Sequence, residues 1–390
     1  MKLLRTYSAY LLVLFFCFCG YNVYAQVDKA ETELKQMMEK LQVAGLSVAV
    51  VKDGKIVYSN AFGLKNIEQQ TPLAKDDIFR IASISKSFSA TAIMQLVEAK
   101  KLSLDDDLSD LLGFKIRNPH FPDKPITLKM LLSHTSSIND SAGYFTYDAI
   151  DPEKNNGSTK CYSDYEPGTI FKYCNLNFNL IGSIIEKASG ERFDNYIKQH
   201  ILNPLGVYAG YNVDSLDRNK FVTLYTYDKK NKEFKESKTA YIANRKIWND
   251  YKLGYSAYSF SPTGGMKISA SDLAKVMLMH MNKGTYNGVQ LISKKSAELM
   301  QSPLVETGTG GYYGYAIRRY QSPELVGNNL LVGHTGSASG LYSAMFFNPD
   351  KKFGFVVISS GSLPDSYDIP FSMRQVLVDG MNILYNNFIK

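Results

Sequence analysis

The sequence predicts an α+β fold in which an antiparallel sheet flanked by helices is built from both ends of the chain, with a helical lobe inserted between them. Two observations support this architecture. Strand pairs joined by hairpin turns lie near each end, and residues 100–260 are rich in helical spacing and loop signals. The 390 residues are 45% hydrophobic and 21% charged, which excludes a disordered or fibrous chain and suffices for one large domain.

The first 25 residues differ from the rest of the chain. Lys2 and Arg5 give a positive start, residues 11–18 form an unbroken apolar run, and residues 23–25 (Val-Tyr-Ala) are typical of a cleavage site. Because the apolar run is too short to span a bilayer, we interpret this segment as a cleaved secretory signal, with an uncleaved anchor as the alternative. The mature protein, residues 26–390, is then exported to a periplasm or the extracellular space without stable membrane insertion.

Charge, cysteines and motifs exclude several function classes. The chain carries 44 basic and 37 acidic residues; the leader takes two of the basic ones, and the remaining excess is spread along the chain, which does not indicate nucleic-acid binding. Two cysteines remain, Cys161 and Cys174, whose pairing the sequence leaves open. The sequence contains no Gly-x-Ser-x-Gly, no His-Glu-x-x-His, no Gly-rich phosphate loop and no Cys/His cluster.

The first half of the sheet part begins with a helix and a hairpin. Helical apolar spacing predicts a helix over residues 30–41, and a β-rich run predicts a strand over 46–51. Residues 52–55 (Lys-Asp-Gly-Lys) are typical of a hairpin turn, because glycine accepts a positive φ there, and the second strand follows over 56–62. Apolar residues from Ser83 to Glu98 then predict a helix that begins near Ser83.

The rest of the chain follows the same logic. Helical patterns recur over residues 128–133, 176–188 and 193–201. Two strands over 342–348 and 353–359 flank a second hairpin turn, and residues 366–388 predict a long closing helix. We therefore expect a sheet part of about residues 26–82 and 262–390, and a lobe of about residues 83–261.

Ser83 and Lys86 form a Ser-x-x-Lys pattern at the start of a predicted helix. This spacing puts the hydroxyl and the amine on one face, one turn apart. A lysine whose pKa is reduced by burial or by nearby positive charge takes the serine proton, and the helix N-terminus offers N–H groups to an oxyanion. The alternative is an N-cap serine followed by a surface lysine.

Two further motifs carry groups suited to acyl transfer. Tyr173 and Asn175 precede a predicted helix; a tyrosine beside a lysine can pass a proton to a leaving group, and an asparagine amide can hold a substrate carbonyl. His334 and the small residues after it lie just before a predicted strand, where a substrate backbone could lie against the strand edge. The N–H of Ser337, opposite that of Ser83, would complete an oxyanion hole. For His334 alone, an ordinary loop histidine is the alternative.

These three motifs, in this order and at these separations, resemble the serine β-lactamase and penicillin-binding-protein superfamily, in particular its class C-like and esterase-like branch. The likeness covers nearly all of residues 45–360, because accessory segments are also similar to that branch: residues 126–136, 204–206 and 261–266.

The resemblance implies a β-lactamase/transpeptidase-like fold with the site in the cleft between sheet and lobe, and a two-step acyl transfer through an ester. By position, Ser83 would be the nucleophile, Lys86 its activating partner, and Tyr173 the proton shuttle and general base. Asn175 would position the substrate. The strand edge would be lined by His334, Thr335 and Gly336, with Ser337 donating from its backbone.

The sequence departs from the superfamily at two positions. His334 stands where β-lactamases and transpeptidases usually carry a lysine, and a mostly neutral imidazole weakens recognition of anionic β-lactams. Ser137 stands where relatives usually have glycine, so that turn is expected to differ. The aromatic residues of one stretch either line an apolar pocket or pack in the lobe: Tyr241, Trp248, Tyr251, Tyr255, Tyr258 and Phe260.

The sequence thus predicts an exported serine hydrolase with a small-molecule or peptide acyl substrate, acting on esters, amides or D-amino-acid peptides. One alternative keeps the chemistry but passes the acyl group to a hydroxyl or amine acceptor. Another is a penicillin-recognising binding protein without turnover. No cofactor, metal or nucleic acid is implied, and the sequence does not define the oligomeric state.

Overall fold

The computed structural model describes residues 26–243, 245–363 and 370–390; the predicted signal segment, residues 1–25, lies outside them. The helices are α1 (26–41), α2 (Ser85–Glu98), α3 (Leu108–Leu112), α4 (Leu128–Leu132), α5 (Asn175–Ser189), α6 (Phe193–Ile197), α7 (Asn203–Leu205), α8 (Arg245–Asn249), α9 (Ala270–Met281), α10 (Lys294–Met300) and α11 (Gln375–Phe388). The strands are β1 (Gly45–Lys52), β2 (Lys55–Asn66), β3 (Thr71–Pro72), β4 (Phe79–Arg80), β5 (Ala209–Gly210), β6 (Tyr225–Asp228), β7 (Glu233–Glu236), β8 (Lys267–Ile268), β9 (Thr285–Tyr286), β10 (Val289–Gln290), β11 (Val305–Glu306), β12 (Tyr312–Tyr313), β13 (Arg318–Tyr320), β14 (Leu331–Ala338), β15 (Leu341–Asn348) and β16 (Phe353–Ser360).

A nine-stranded antiparallel sheet forms the frame of the molecule, in the order β11-β12-β13-β14-β15-β16-β1-β2-β3. β1 pairs with β16 on one side and with β2 on the other, so the two ends of the chain meet inside one sheet. This confirms the predicted antiparallel sheet made from both termini.

Both faces of this sheet are covered by helices. Alternate side chains of a strand point to opposite faces, and in β1 Val48 and Val50 pack in one apolar cluster with residues of α1 and α11. Ala49 and Val51 pack in a second cluster with residues of α9 and of the helices that follow β4. Burial on both faces explains why β1 reads as a continuous apolar run rather than an alternating one.

The hairpins lie where the sequence predicts them. Asp53 and Gly54, in the turn between β1 and β2, have φ values of 52° and 72°, the left-handed pair that a two-residue turn requires. The closing helix begins later than predicted, because residues 370–372 form a 3-10 turn with φ 61° at Phe371, and α11 starts only at Gln375. The predicted start, residues 366–369, lies outside the described residues.

The helical part lies between β4 and β8 in the sequence. In it, α2 packs against α5. The helix predicted over 193–201 continues beyond α6 as a π-helical turn, Lys198–Leu202. No helix in the described part of the chain is long and apolar enough to cross a membrane.

Candidate active site

Ser83 lies in a short 3-10 turn between β4 and α2. The preceding residue, Ala82, has φ 48°, a left-handed conformation that strains a residue with a Cβ and is frequent at functional sites. Neighbouring elements hold this turn: the Ser343 hydroxyl donates to the Ile81 carbonyl over 2.9 Å. A Cβ at Gly336 would lie 2.2 Å from the same carbonyl oxygen, so glycine is needed for β14 to approach the turn.

Gly336 therefore serves the contact between β14 and the Ser83 turn, and it is not among the residues that line the cleft. Its neighbours Thr335 and Ser337 do line it. β13 pairs with β14 only at residues 331–333. Within the described residues, no strand pairs with the β13 side of β14 over residues 334–338. The backbone of residues 334–338 is thus available to a substrate on the cleft side.

Lys86 is fully buried beneath the cleft, which rules out the surface-lysine alternative. Its Nζ donates to Asn175 Oδ1 over 3.0 Å and to the Thr263 carbonyl over 2.9 Å, and lies 3.2 Å from Ser83 Oγ. Burial lowers the pKa of Lys86 to about 7, against the opposing charge of Asp140. A neutral amine has two N–H groups, so two acceptors engage both and the lone pair is left for the Ser83 hydroxyl.

Tyr173 covers Lys86 on the cleft side, with 4.8 Å between Nζ and the ring centroid. Burial raises the pKa of Tyr173 to about 12, although the Ser83 hydroxyl and the Arg318 charge oppose the rise. The buried hydroxyl has no partner in good hydrogen-bond geometry among the described residues. The phenol is therefore protonated in the resting site and free to bond to an incoming group.

Asn175 is the first residue of α5, and Asp140 sets the orientation of its amide. Asn175 Nδ2 donates to Asp140 Oδ2 over 3.0 Å, which turns Oδ1 toward Lys86 and the Thr263 hydroxyl. Asp140 also accepts from the backbone N–H groups of Asn175 and Leu176, so it caps the helix. Sequence reasoning missed Asp140, because no spacing pattern links it to a residue 35 positions away.

The turn that begins at His134 supports Tyr173 from behind. The two ring centroids lie 4.4 Å apart, and His134 Nδ1 accepts from the Cys174 N–H over 3.2 Å. Burial holds the pKa of His134 well below its usual range, so this ring is neutral. Ser137 has φ 61° and its hydroxyl accepts from Asn118 Nδ2. Ser137 thus adopts the left-handed conformation that glycine favours.

His334 lies within β14 and is buried, so the loop-histidine alternative is wrong. Its Nδ1–H donates to the Thr335 carbonyl over 2.5 Å, which leaves Nε2 to accept from the Tyr313 hydroxyl over 3.1 Å. Burial and the Arg318 charge hold the pKa of His334 well below its usual range. The imidazole is neutral and structural in these contacts, and it brings no positive charge to the cleft.

Arg318, on β13, supplies the positive charge that His334 lacks. Its guanidinium carbon lies 5.6 Å from the centroid of the Tyr173 ring, and Nη1 donates to the Tyr320 hydroxyl over 2.6 Å. The buried Nε has no partner among the described residues, and the groups acting on Arg318 are tyrosines rather than carboxylates. Because arginine keeps its proton when buried, the cleft contains an unneutralised cation. No sequence motif marked this residue.

These groups meet in one cleft of about 310 Å³. Lys86 lies beneath it and Gly336 behind it. Six of the eight predicted site residues line it: Ser83, Tyr173, Asn175, His334, Thr335 and Ser337.

The aromatic residues of the stretch 241–260 do not line the cleft but pack against the apolar core, as the second interpretation expected. Trp248, for example, stacks on Phe260 with 5.1 Å between ring centroids. The cleft instead contains a different aromatic pair, Tyr144 and Phe145.

Cys161 and Cys174 are buried free thiols in this structure. Cys174 Sγ donates to Asp140 Oδ1 and Cys161 Sγ to the Ala149 carbonyl, each over 3.2 Å. Each thiol thus has its own acceptor, and the two cysteines do not form the disulfide that the sequence left open.

Comparisons with known proteins agree with this geometry. The sequence profile named Beta-lactamase matches residues 30–376. The chain belongs to the Beta-lactamase family. It is 26% identical to penicillin-binding protein 4 of Amycolatopsis lactamdurans over 83% of each chain. It is 26% identical to penicillin-binding protein 4* of Bacillus subtilis, over 87% of this chain and 72% of that one. Protein flp of Staphylococcus aureus is 23% identical, and the match spans 62% of its length.

Solved structures of this superfamily have the same fold. A penicillin-binding protein homologue from Pyrococcus abyssi, described as octameric, gives a TM-score of 0.71 at 29% identity, over 92% of this chain and 78% of that one. The D-alanine carboxypeptidase AmpC of Burkholderia cenocepacia gives 0.70 at 19% identity, over 93% and 99%. D-amino acid amidase of Ochrobactrum anthropi gives 0.71 at 19%, over 92% and 97%. The predicted β-lactamase/transpeptidase-like fold of this Beta-lactamase family member is confirmed.

Proposed function

We propose that this protein is an exported serine hydrolase that forms an acyl-enzyme at Ser83. The observation that carries the proposal is the position of Lys86, whose buried Nζ donates to two acceptors and lies 3.2 Å from Ser83 Oγ. As a neutral amine, Lys86 can direct its lone pair at the Ser83 hydroxyl. A serine hydroxyl is a weak nucleophile until a base in contact with it accepts its proton. Export is supported by the leader-like segment, residues 1–25.

In the acylation step, Lys86 as free amine takes the Ser83 proton while Oγ bonds to the substrate carbonyl carbon. The resulting oxyanion accepts from the backbone N–H groups of Ser83 and Ser337. When the bond to the leaving group breaks, the Tyr173 phenol gives its proton to that group, and the Lys86 ammonium returns a proton to Tyr173. Both side chains then hold their resting charge, and the acyl group is an ester on Ser83.

In the deacylation step, water adds to the ester carbonyl. The Tyr173 hydroxyl relays the water proton to Lys86, because the phenol is protonated in the resting site and the amine is the stronger base there. That proton passes to Ser83 Oγ as the ester bond breaks. The carboxylic acid leaves and the site is restored.

Arg318 supports a substrate with a carboxylate on its leaving group. The guanidinium lies against the Tyr173 ring, and Tyr173 is the group that protonates the leaving group in this mechanism. A carboxylate there would form a charge-assisted hydrogen bond with an arginine that has no acidic partner among the described residues. Relatives named as penicillin-binding proteins and as a D-alanine carboxypeptidase have names that agree with such a substrate. We therefore propose short acyl-D-amino-acid peptides as the substrate class.

The test is to incubate the purified protein with an N-acyl-D-alanyl-D-alanine peptide, its C-terminal amide, benzylpenicillin and p-nitrophenyl acetate. Product release and intact mass are followed together. We expect turnover with an acyl adduct on Ser83, and Ser83→Ala is expected to lower kcat/KM by about 10³-fold or more. The free acid should exceed its amide by about tenfold, because only the acid pairs with Arg318.

Each other outcome would contradict one part of the proposal. Turnover that persists in a folded Ser83→Ala variant would overturn the acyl-enzyme. Equal rates for acid and amide would overturn the role of Arg318. A Ser83 adduct released only when an amine or hydroxyl acceptor is added would show a transferase instead, and an adduct that is never released would show a binding protein.

A further inference from the structure

The cleft has one strongly exposed aromatic side chain. Phe145 exposes 73% of its surface, the largest fraction among the large hydrophobic side chains in the described part of the chain. It lines the same cleft as Ser83 and stacks on Tyr144, with 4.2 Å between ring centroids. Single exposed apolar residues are ordinary on a protein surface, but this one lines the cleft of the predicted nucleophile, and most of its surface is left uncovered by the described residues.

The aromatic pair is fixed to the element that positions the catalytic groups. Asn179, one turn after Asn175 on α5, donates through Nδ2 to the Tyr144 carbonyl over 2.5 Å. This bond ties the backbone of Tyr144 to the helix that begins with Asn175, and Phe145 stacks on the Tyr144 ring. An aromatic ring held in one place gains contact area with a ligand without the entropic cost of ordering a mobile side chain.

Charges show which end of the cleft these rings occupy. The residues that interact electrostatically with Arg318 are Tyr320, Tyr313 and Tyr173. Arg80 also lines the cleft, and the residues that interact electrostatically with it are Tyr241 and Tyr144. Hydrogen bonds hold the two guanidinium groups on different walls of the cleft: Arg80 Nε donates to the Gly264 carbonyl over 2.9 Å, whereas Arg318 Nη1 donates to the Tyr320 hydroxyl and its guanidinium lies against the Tyr173 ring. Tyr144 interacts with Arg80 and is not among the groups that interact with Arg318, so we assign the Tyr144–Phe145 pair to the Arg80 side of the cleft.

We infer that Tyr144 and Phe145 form the subsite for the acyl side chain, and that the preferred acyl group is apolar and bulky, either aromatic or branched aliphatic. The inference deepens the proposed function and rests on it. A leaving group protonated by Tyr173 lies at the Arg318 end, so the acyl group extends to the other end and covers the free face of Phe145. Stacking or aliphatic contact there raises the rate for a bulky acyl group over a small one.

The test uses p-nitrophenyl acetate and p-nitrophenyl phenylacetate, which share a leaving group and differ only in the acyl side chain. The measured quantity is the ratio of their kcat/KM values, so inherent reactivity cancels between variants. We expect Phe145→Ala to lower the phenylacetate-to-acetate ratio by about tenfold, and Phe145→Leu to lower it less. Ile242→Ala is the matched control, because Ile242 is 68% exposed and does not line the cleft; it should keep the wild-type ratio.

A ratio in Phe145→Ala equal to that of the wild type would overturn the inference while leaving the acyl-enzyme intact. Failure of the proposed function looks different, because no ester would then be turned over in a Ser83-dependent manner. In that case, binding of phenylacetate itself, followed by ligand-observed NMR, still decides the matter. Weaker binding to Phe145→Ala than to the wild type supports the subsite, and equal binding overturns it.

Discussion

Lys86 and Lys267 make an instructive pair, because both are buried and burial lowers the pKa of both to about 7. Their surroundings differ. Lys86 lies under the cleft with Ser83 Oγ at 3.2 Å and Tyr173 above it. Lys267 lies on β8, opposite Arg80 in the pairing of β4 with β8, and donates to the Tyr211 carbonyl over 2.6 Å.

The comparison shows that a lowered lysine pKa does not by itself mark a catalytic site. At Lys267 burial, together with the nearby Arg80 charge, lowers the pKa in the same way, yet among the described residues its amine donates to the Tyr211 carbonyl rather than to a nucleophile, and Lys267 does not line the cleft. At Lys86 the amine with the lowered pKa lies 3.2 Å from the hydroxyl of Ser83, a residue that lines the cleft. Chemistry therefore requires the shifted pKa together with the contact and the access.

The largest difference between the two lysines should be in activity. Lys86→Met removes the base that accepts the Ser83 proton, and we expect kcat/KM to fall by about 10³-fold or more. Lys267→Met should stay within about threefold of the wild type, because Lys267 does not touch the reacting groups. Both variants are assayed on p-nitrophenyl acetate. Similar losses in both would show that burial of a lysine, rather than contact with Ser83, sets the activity.

An intermediate effect is expected at Asp140, a positioning residue that acts through Asn175. Asp140→Asn removes the charge that fixes the Asn175 amide and also opposes the low pKa of Lys86. We expect kcat/KM to fall by about 10- to 100-fold through misorientation of Asn175, and the ascending limb of the pH profile to move to lower pH. A purely structural role would lower activity without moving the limb, and an unmoved limb would contradict this account.

The smallest effect concerns the stability of the fold. An unfolded lysine titrates near pH 10.4, whereas folded Lys267 titrates near 7, so between these values the unfolded chain binds the extra proton. Stability therefore rises with pH above about 7. Lys86, whose pKa is also lowered to about 7, makes the free energy of unfolding rise with pH in the same way. Lys267→Met should therefore reduce this rise without abolishing it. Denaturant unfolding at several pH values from about 7 to 9 measures the slope, and identical slopes in both proteins would refute the assignment.

What the sequence could predict at this site is what lies close together in the chain. Ser83 and Lys86 are one helical turn apart, and Tyr173 and Asn175 are two residues apart, so spacing alone indicated both pairs. Asp140 binds Asn175 and Arg318 lies against Tyr173, but both residues are distant in the sequence from the groups they contact. Only the packing of the loop before α5 and of β13 brings them into the site.

Long-range packing also corrected the interpretation of single residues. Gly336 was expected at the substrate edge, whereas its missing side chain makes room for the Ile81 carbonyl. The aromatic stretch that could have lined a pocket packs in the core, and Phe145, which no pattern distinguished, lines the cleft. The antiparallel sheet was predictable, because its central strands are joined by hairpins whose turns are visible in the sequence.

The measurement that tests the central claim most directly is the acylation rate of Ser83 as a function of pH. Single-turnover acylation by p-nitrophenyl acetate is quenched and followed by intact mass from about pH 5 to 10, in the wild type and in Lys267→Met. If Lys86 is the base, both proteins show a rate that rises through about pH 7 and then stays level. A rate that does not change with pH, or a rise that disappears in Lys267→Met, would contradict the account.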